Sequence, residues 1–99
     1  MEIIVREHFK FGFVRYRNDG PHSGEAFRED VLEPALKNNT VITIDLNNDF
    51  GFPSSWLEEC FGGLVRNGFK SNDLLKRINI LCDDSLIVEE IVQYIKEAV

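Results

Sequence analysis

Val41-Ile42-Thr43-Ile44-Asp45-Leu46 (VITIDL) is an apolar run of strand length, rich in β-branched side chains. It reads as the central strand of a sheet, buried on both faces, with Asp45 near its end as the exception. On its amino side, Ser23 stands where an N-cap would, ahead of the helical pattern Phe27, Val31, Leu32, Ala35 and Leu36. Pro34 should kink or shorten that helix, and Lys37-Asn38-Asn39 closes it. On its carboxyl side, after the loop Asn47–Pro53, Ser55 and Glu58 have the spacing of a capping box. Leu57, Cys60, Phe61, Leu64 and Val65 then mark one face of a second helix, which Asn67-Gly68 should stop.

Further out, Arg77–Cys82 alternates Ile78 and Ile80 as a strand. Asp84 or Ser85 then caps a last helix with the stripe Ile87, Val88, Ile91, Val92 and Ile95. Toward the N-terminus, Ile3-Ile4-Val5 reads as a first strand and Gly12–Arg17 as a second, followed by turn chemistry at Asn18-Asp19-Gly20-Pro21. Phe9, Phe11 and Phe13 share the parity of Arg15 and Arg17. Either the register shifts at a bulge near Gly12 or a partner covers this aromatic face, the bulge being the more ordinary account. The order β-β-α-β-α-β-α predicts an α/β fold: a four-stranded mixed sheet with an antiparallel opening hairpin, Val41–Leu46 central, and helices packed on it. Ile44, Leu57, Phe61, Leu64, Ile80 and Ile91 are the expected core.

The length of 99 residues suits one domain spanning 1–99, and 43% hydrophobic with 28% charged residues excludes a disordered or fibrous chain. No apolar run reaches the ~18 residues of a membrane span, and MEIIVREHFK has no signal pattern. Two cysteines without a pairing motif point to a reducing, cytoplasmic setting. The net charge is −6, distributed as +1 over residues 1–24, −3 over 25–82 and −4 over 83–99. Arg6, Lys10, Arg15 and Arg17 form the one basic cluster and are diluted by Glu2, Glu7 and Asp19, which argues against nucleic-acid binding.

Catalytic chemistry finds little support. Cys60, Cys82, His8 and His22 match no zinc spacing, and no nucleophile–base set or phosphate loop is present. Neither a cofactor nor a metal is expected. The adjacent acids Glu58-Glu59, Asp83-Asp84 and Glu89-Glu90 read as caps and solvated faces. Gly62-Gly63 inside a helix costs up to ~2 kcal/mol in propensity, so close packing against the sheet or a second molecule should offset it. In a parallel sheet the crossover helices start at the carboxyl ends of the strands. Ser23, Gly24, Ser54 and Ser55 could therefore share one rim, approached by Asp45 and Asp49, and this is the best candidate functional surface.

The stretches SGEAFR (Ser23–Arg28), VITIDL and SSWLEECFGGL (Ser54–Leu64) together resemble the STAS-like family of small bacterial proteins of unassigned function. The resemblance runs from Gly12 to Ala98. That family is similar to the STAS domains of anti-sigma factor antagonists, in which a serine of an Asp-Ser-Ser-Gly motif is phosphorylated by a kinase of the histidine-kinase ATPase type. Here Pro53-Ser54-Ser55-Trp56 keeps both serines and replaces the flanking Asp and Gly. Trp56, far larger than glycine, hinders close backbone approach at that point.

The resemblance implies a non-catalytic regulatory or adaptor module. It would dock a protein partner at the rim, an ATP-binding histidine-kinase-like protein or another component of a bacterial signalling or defence operon, with serine phosphorylation as a switch. Self-assembly into a homo-oligomer, through the hairpin edge or the Phe9/Phe11/Phe13 face, is the alternative. A small nucleotide binder comes third.

Overall fold

Ile42–Asp45 (β2) is the middle strand, flanked by Glu2–Ile4 (β1) and Ile78–Leu81 (β3), and both pairings are parallel. The computed structural model describes residues 1–48 and 51–98. Ile3, Ile44 and Ile80 lie side by side in register, as do Thr43 and its neighbours Glu2 and Asn79. The sheet therefore has three parallel strands and not four mixed ones. The chain from Gly12 to Arg17 does not form the second strand: Val14 makes a single isolated bridge to Ser23, and a 3-10 turn at Arg17–Asp19 follows. Val5 likewise belongs to a helical turn, Val5–His8 (α1), so β1 has no hairpin partner.

The helix capped by Ser23 comes in three continuous pieces: Gly24–Phe27 (α2), a wide π turn at Arg28–Leu32, and Glu33–Asn38 (α3). Pro34 lies in the first turn of α3, just past the wide turn, in which the Glu33 N–H bonds to the Arg28 carbonyl five residues back. That longer step relieves the clash a proline ring makes in a regular helix. The helix is thus neither ended nor shortened at Pro34.

Ser54–Arg66 (α4) ends at Asn67 and Gly68, where Gly68 takes φ +104°, a backbone state that favours glycine. Ser71–Arg77 (α5), absent from the sequence reading, leads directly into β3. Ser85–Glu97 (α6) is capped by Asp84, whose side chain accepts from the Leu86 N–H at 3.0 Å.

Successive strands that neighbour in sequence order are joined by right-handed crossovers, which place the connecting helices on one face. Burial follows that geometry. Ile42, Ile44 and Leu46 are sealed against the helices, while Val41 on the opposite face is 43% exposed. Helix α4 is the centre of the helical layer, touching α2 on one side and α6 on the other. Leu57, Phe61, Leu64, Ile44 and Ile91 are core residues as expected; Ile80 is only partly buried at the sheet edge.

Candidate functional site

The carboxyl edge of the sheet opens into a groove of about 900 Å³. Arg6, Glu7 and Lys10 wall it from α1 and the segment after it, Asp45, Asn47 and Asn48 from the end of β2, and Asp83 from the end of β3. Its floor is fixed. Asp45 Oδ1 accepts from the Asn47 N–H at 2.9 Å and meets Arg6 Nη1 at 3.1 Å; these contacts, the backbone bond first, hold the carboxyl below its usual range. Asn47 Oδ1 in turn accepts from the Asp83 N–H at 2.8 Å, and Leu46 donates to Leu81 at 2.8 Å, stapling β2 to β3 beyond the sheet.

Helix α4 starts at this same edge. Pro53 occupies the cap position, its carbonyl taking the N–H groups of Trp56 and Leu57, with no side-chain cap bond among the described residues. The expected capping box is therefore not formed: Ser54 and Ser55 are the first two helical residues. Glu58 turns to Arg15 and Arg66, at 2.8 and 2.7 Å, instead of reaching back to the helix start. Ser54 is exposed and Ser55 half-buried. The Ser54 hydroxyl neighbours that of Tyr94 on α6, a phenol pushed up by burial and by Glu90 beside it.

The other members of the expected rim are placed differently. Ser23 is wholly buried, its Oγ accepting from the Ala26 N–H at 2.9 Å. Gly24 is buried against α4 so closely that a Cβ there would lie 2.7 Å from the Trp56 carbonyl oxygen. Trp56 is itself sealed, its ring 5.0 Å from Phe52, 5.2 Å from Phe13 and 5.3 Å from Phe27. Because glycine lets α2 begin directly on the first turn of α4, Ser23 and Trp56 are enclosed. Asp49 lies outside the described residues. Of the seven candidates, Ser54, Ser55 and Asp45 remain at the carboxyl edge within reach of solvent.

Two groups escaped the sequence reading. The groove residues Arg6, Lys10, Asn47 and Asp83 carry no motif; their common signal is position just past the end of a parallel strand. The second is an ion-pair cluster between the wide turn and α4. Arg28 and Glu59, each 6% exposed, meet at 3.1 Å, Arg28 Nη1 contacts Glu33 at 2.7 Å, and Arg28 Nε donates to the Glu59 carbonyl at 3.2 Å. Glu59 is therefore not part of a solvated face. Glu58, hydrogen-bonded chiefly to Arg66 and also to Arg15, is held below the ordinary value. A Cβ on Gly63 would run into the Arg28 side chain, 2.8 Å from its Cδ, so this glycine makes room for a guanidinium, not for the sheet or a second molecule.

Cys60 and Cys82 are both free thiols. Cys60 is fully buried, with its pKa pushed well up by desolvation. No helix among the described residues is long and apolar enough to cross a membrane.

Three parallel strands under one layer of helices, with the helix starts and an open groove gathered at their carboxyl edge, define a two-layer α/β domain. The chain belongs to the family described as a STAS-like domain of unknown function, whose model matches residues 23–85. That span runs from the buried cap of α2 to the first residue of α6 and includes the whole of α4. No curated protein and no solved structure matches the chain.

Proposed function

We propose that this chain is a cytoplasmic, non-catalytic regulatory or adaptor domain that docks a protein partner at the carboxyl edge of its sheet. The contact surface is the exposed start of α4 at Ser54 and Ser55 together with the groove floored by Asp45. The likeness to anti-sigma factor antagonists makes an ATP-binding protein of histidine-kinase-like type the partner class of this reading. The observation that carries the reading is the helix start: an exposed serine hydroxyl, uncommitted to capping, at the end of the loop that leads out of the groove.

A phosphate on Ser54 would gain ~0.3–1 kcal/mol from the helix dipole. It would also stand close to Glu58 and Glu90, so its net effect on the fold is small while its effect on a docked surface is large. Self-assembly through the Phe9/Phe11/Phe13 face has less to stand on. Phe9 stacks on His22 and Phe13 packs edge-on against the Phe52–Trp56 pair, leaving Phe11, edge-on to His22 and 69% exposed, as the most accessible of the three.

The test is co-purification with the product of the neighbouring gene, comparing wild type, Ser54→Ala and Ser54→Asp, with a melting curve for each. Docking by wild type and Ser54→Ala, with loss in Ser54→Asp at unchanged Tm, supports the switch. Equal binding by all three sinks the switch, and absence of binding to any ATPase-type neighbour sinks the adaptor reading.

A further inference from the structure

The outer edge of β3 combines an unpaired strand with a surplus of unpaired acid. Since the Leu81 carbonyl takes the Leu46 N–H, the alternation of a parallel ladder turns the N–H and C=O of Ile80 away from β2, toward the open edge. Ile78–Leu81 (INIL), though only four residues long, has no lysine, proline, glycine or bulge to guard that edge. Beside it, Leu81 is 44% and Leu86 64% exposed. By contrast β1, the other edge, is three residues long and carries the exposed Glu2.

Charge is concentrated after this edge as well, at −4 over residues 83–99. Glu29, Asp30, Glu33, Asp45, Glu58 and Glu59 each have an arginine partner. Among the described residues, none of Asp83, Asp84, Glu89, Glu90 and Glu97 is in an ion pair, and Lys96 is the lone cation of that segment. Asp83 and Asp84 follow directly on β3. Helix α6 packs on α4 and on α5, the helix that leads directly into β3.

We propose that the free edge of β3 accepts an extended basic segment of a partner protein as a fourth strand. Backbone hydrogen bonds to Ile80 would supply register, Leu81 and Leu86 contacts for alternate apolar side chains, and Asp83 and Asp84 at the end of the strand the preference for lysine or arginine. The strand edge itself is distinct from the Ser54 rim, although Asp83 also walls the groove and Glu90 stands beside Tyr94 at that rim, so the position of the amide shifts tells the two surfaces apart. Four residues of edge make a weak contact by themselves, and opposite charge is what raises the encounter rate and selects the partner.

The probe is a capped octapeptide of alternating lysine and valine, titrated into the 15N-labelled protein at low salt. Expected are amide shifts concentrated at Ile78–Leu81 and slowed hydrogen exchange of the Ile80 N–H. Affinity should fall at least tenfold at 0.5 M salt, for the glutamate–valine peptide, and for the lysine–valine peptide N-methylated at every residue. Asp83→Asn should weaken binding severalfold while leaving the melting curve in place. Shifts centred on β1 or the groove, equal binding of the N-methylated peptide, or no binding at all overturns the proposal. Because the methylated probe leaves the protein intact, the outcome does not depend on how an edge variant folds.

Discussion

Replacing Gly63 by alanine sets two known quantities against each other. Helix propensity favours the change by ~1 kcal/mol, since glycine is the poorest ordinary helix former. The added Cβ, however, would enter the space of Arg28, whose Cδ would lie 2.8 Å away. Arg28 must move, giving up the 3.1 Å contact with Glu59 and its 3.2 Å bond to the Glu59 carbonyl. Breaking a buried ion pair costs ~3–5 kcal/mol. Here the loss is softened because Glu59 Oε1 also lies 3.4 Å from Arg15 and 3.6 Å from Arg66. A net destabilisation of ~1–3 kcal/mol follows, a large share of the stability of a domain this size. Urea unfolding followed by the single tryptophan, sealed among phenylalanines, reads it directly. In an Arg28→Ala background the obstacle is gone, and Gly63→Ala should turn neutral or stabilising by up to ~1 kcal/mol. An unchanged or raised midpoint for the single Gly63→Ala variant would refute the reasoning.

Phe61→Ala should cost ~3–5 kcal/mol, because the ring is fully buried; a urea titration showing less than ~1 kcal/mol would contradict its place in the core. Glu58 is held below its ordinary 4.5, chiefly by Arg66, so its stabilising contribution is present above that value and lost as pH falls through the lowered one. Acid unfolding of Glu58→Gln should therefore be less steep in that window than that of wild type, and identical slopes would remove the pair from the stability account. With a thiol reagent, Cys82, partly exposed, should react in the native protein while Cys60 waits for unfolding; two fast thiols would contradict the sealed α2–α4 interface.

Much of the fold was legible because long periodic elements leave strong patterns. VITIDL, the stripe of α4 and the stripe of α6 are all where their periods put them. The opening segment misled for a local reason: alternation in Gly12–Arg17 looks like a strand, yet Arg15 and Arg17 are drawn to acids on α4, α2 and the wide turn, and Phe13 to the tryptophan. Side-chain anchoring of this kind competes with ladder formation and has no period. Helix α5 was missed because seven residues with a single buried leucine, Leu74, carry too little pattern. At the site, serine spacing suggested a cap that Pro53 and the backbone render unnecessary. The enclosure of Ser23 depended on how near two helices approach at Gly24, which spacing along one helix does not encode.

The wide turn at Arg28–Leu32 bears on how chain length varies among relatives. A π turn holds one residue more than the α turn it replaces while keeping the flanking pieces facing as before. One residue, at the exposed pair Glu29 and Asp30, is therefore dispensable to the facing of both Gly24–Arg28 and Ala35–Leu36. Without the wide turn, though, the ring of Pro34 would press on a carbonyl of a regular helix. The extra residue and the proline thus form a linked pair of characters, inherited or lost together: a relative one residue shorter here should carry a different residue in place of Pro34.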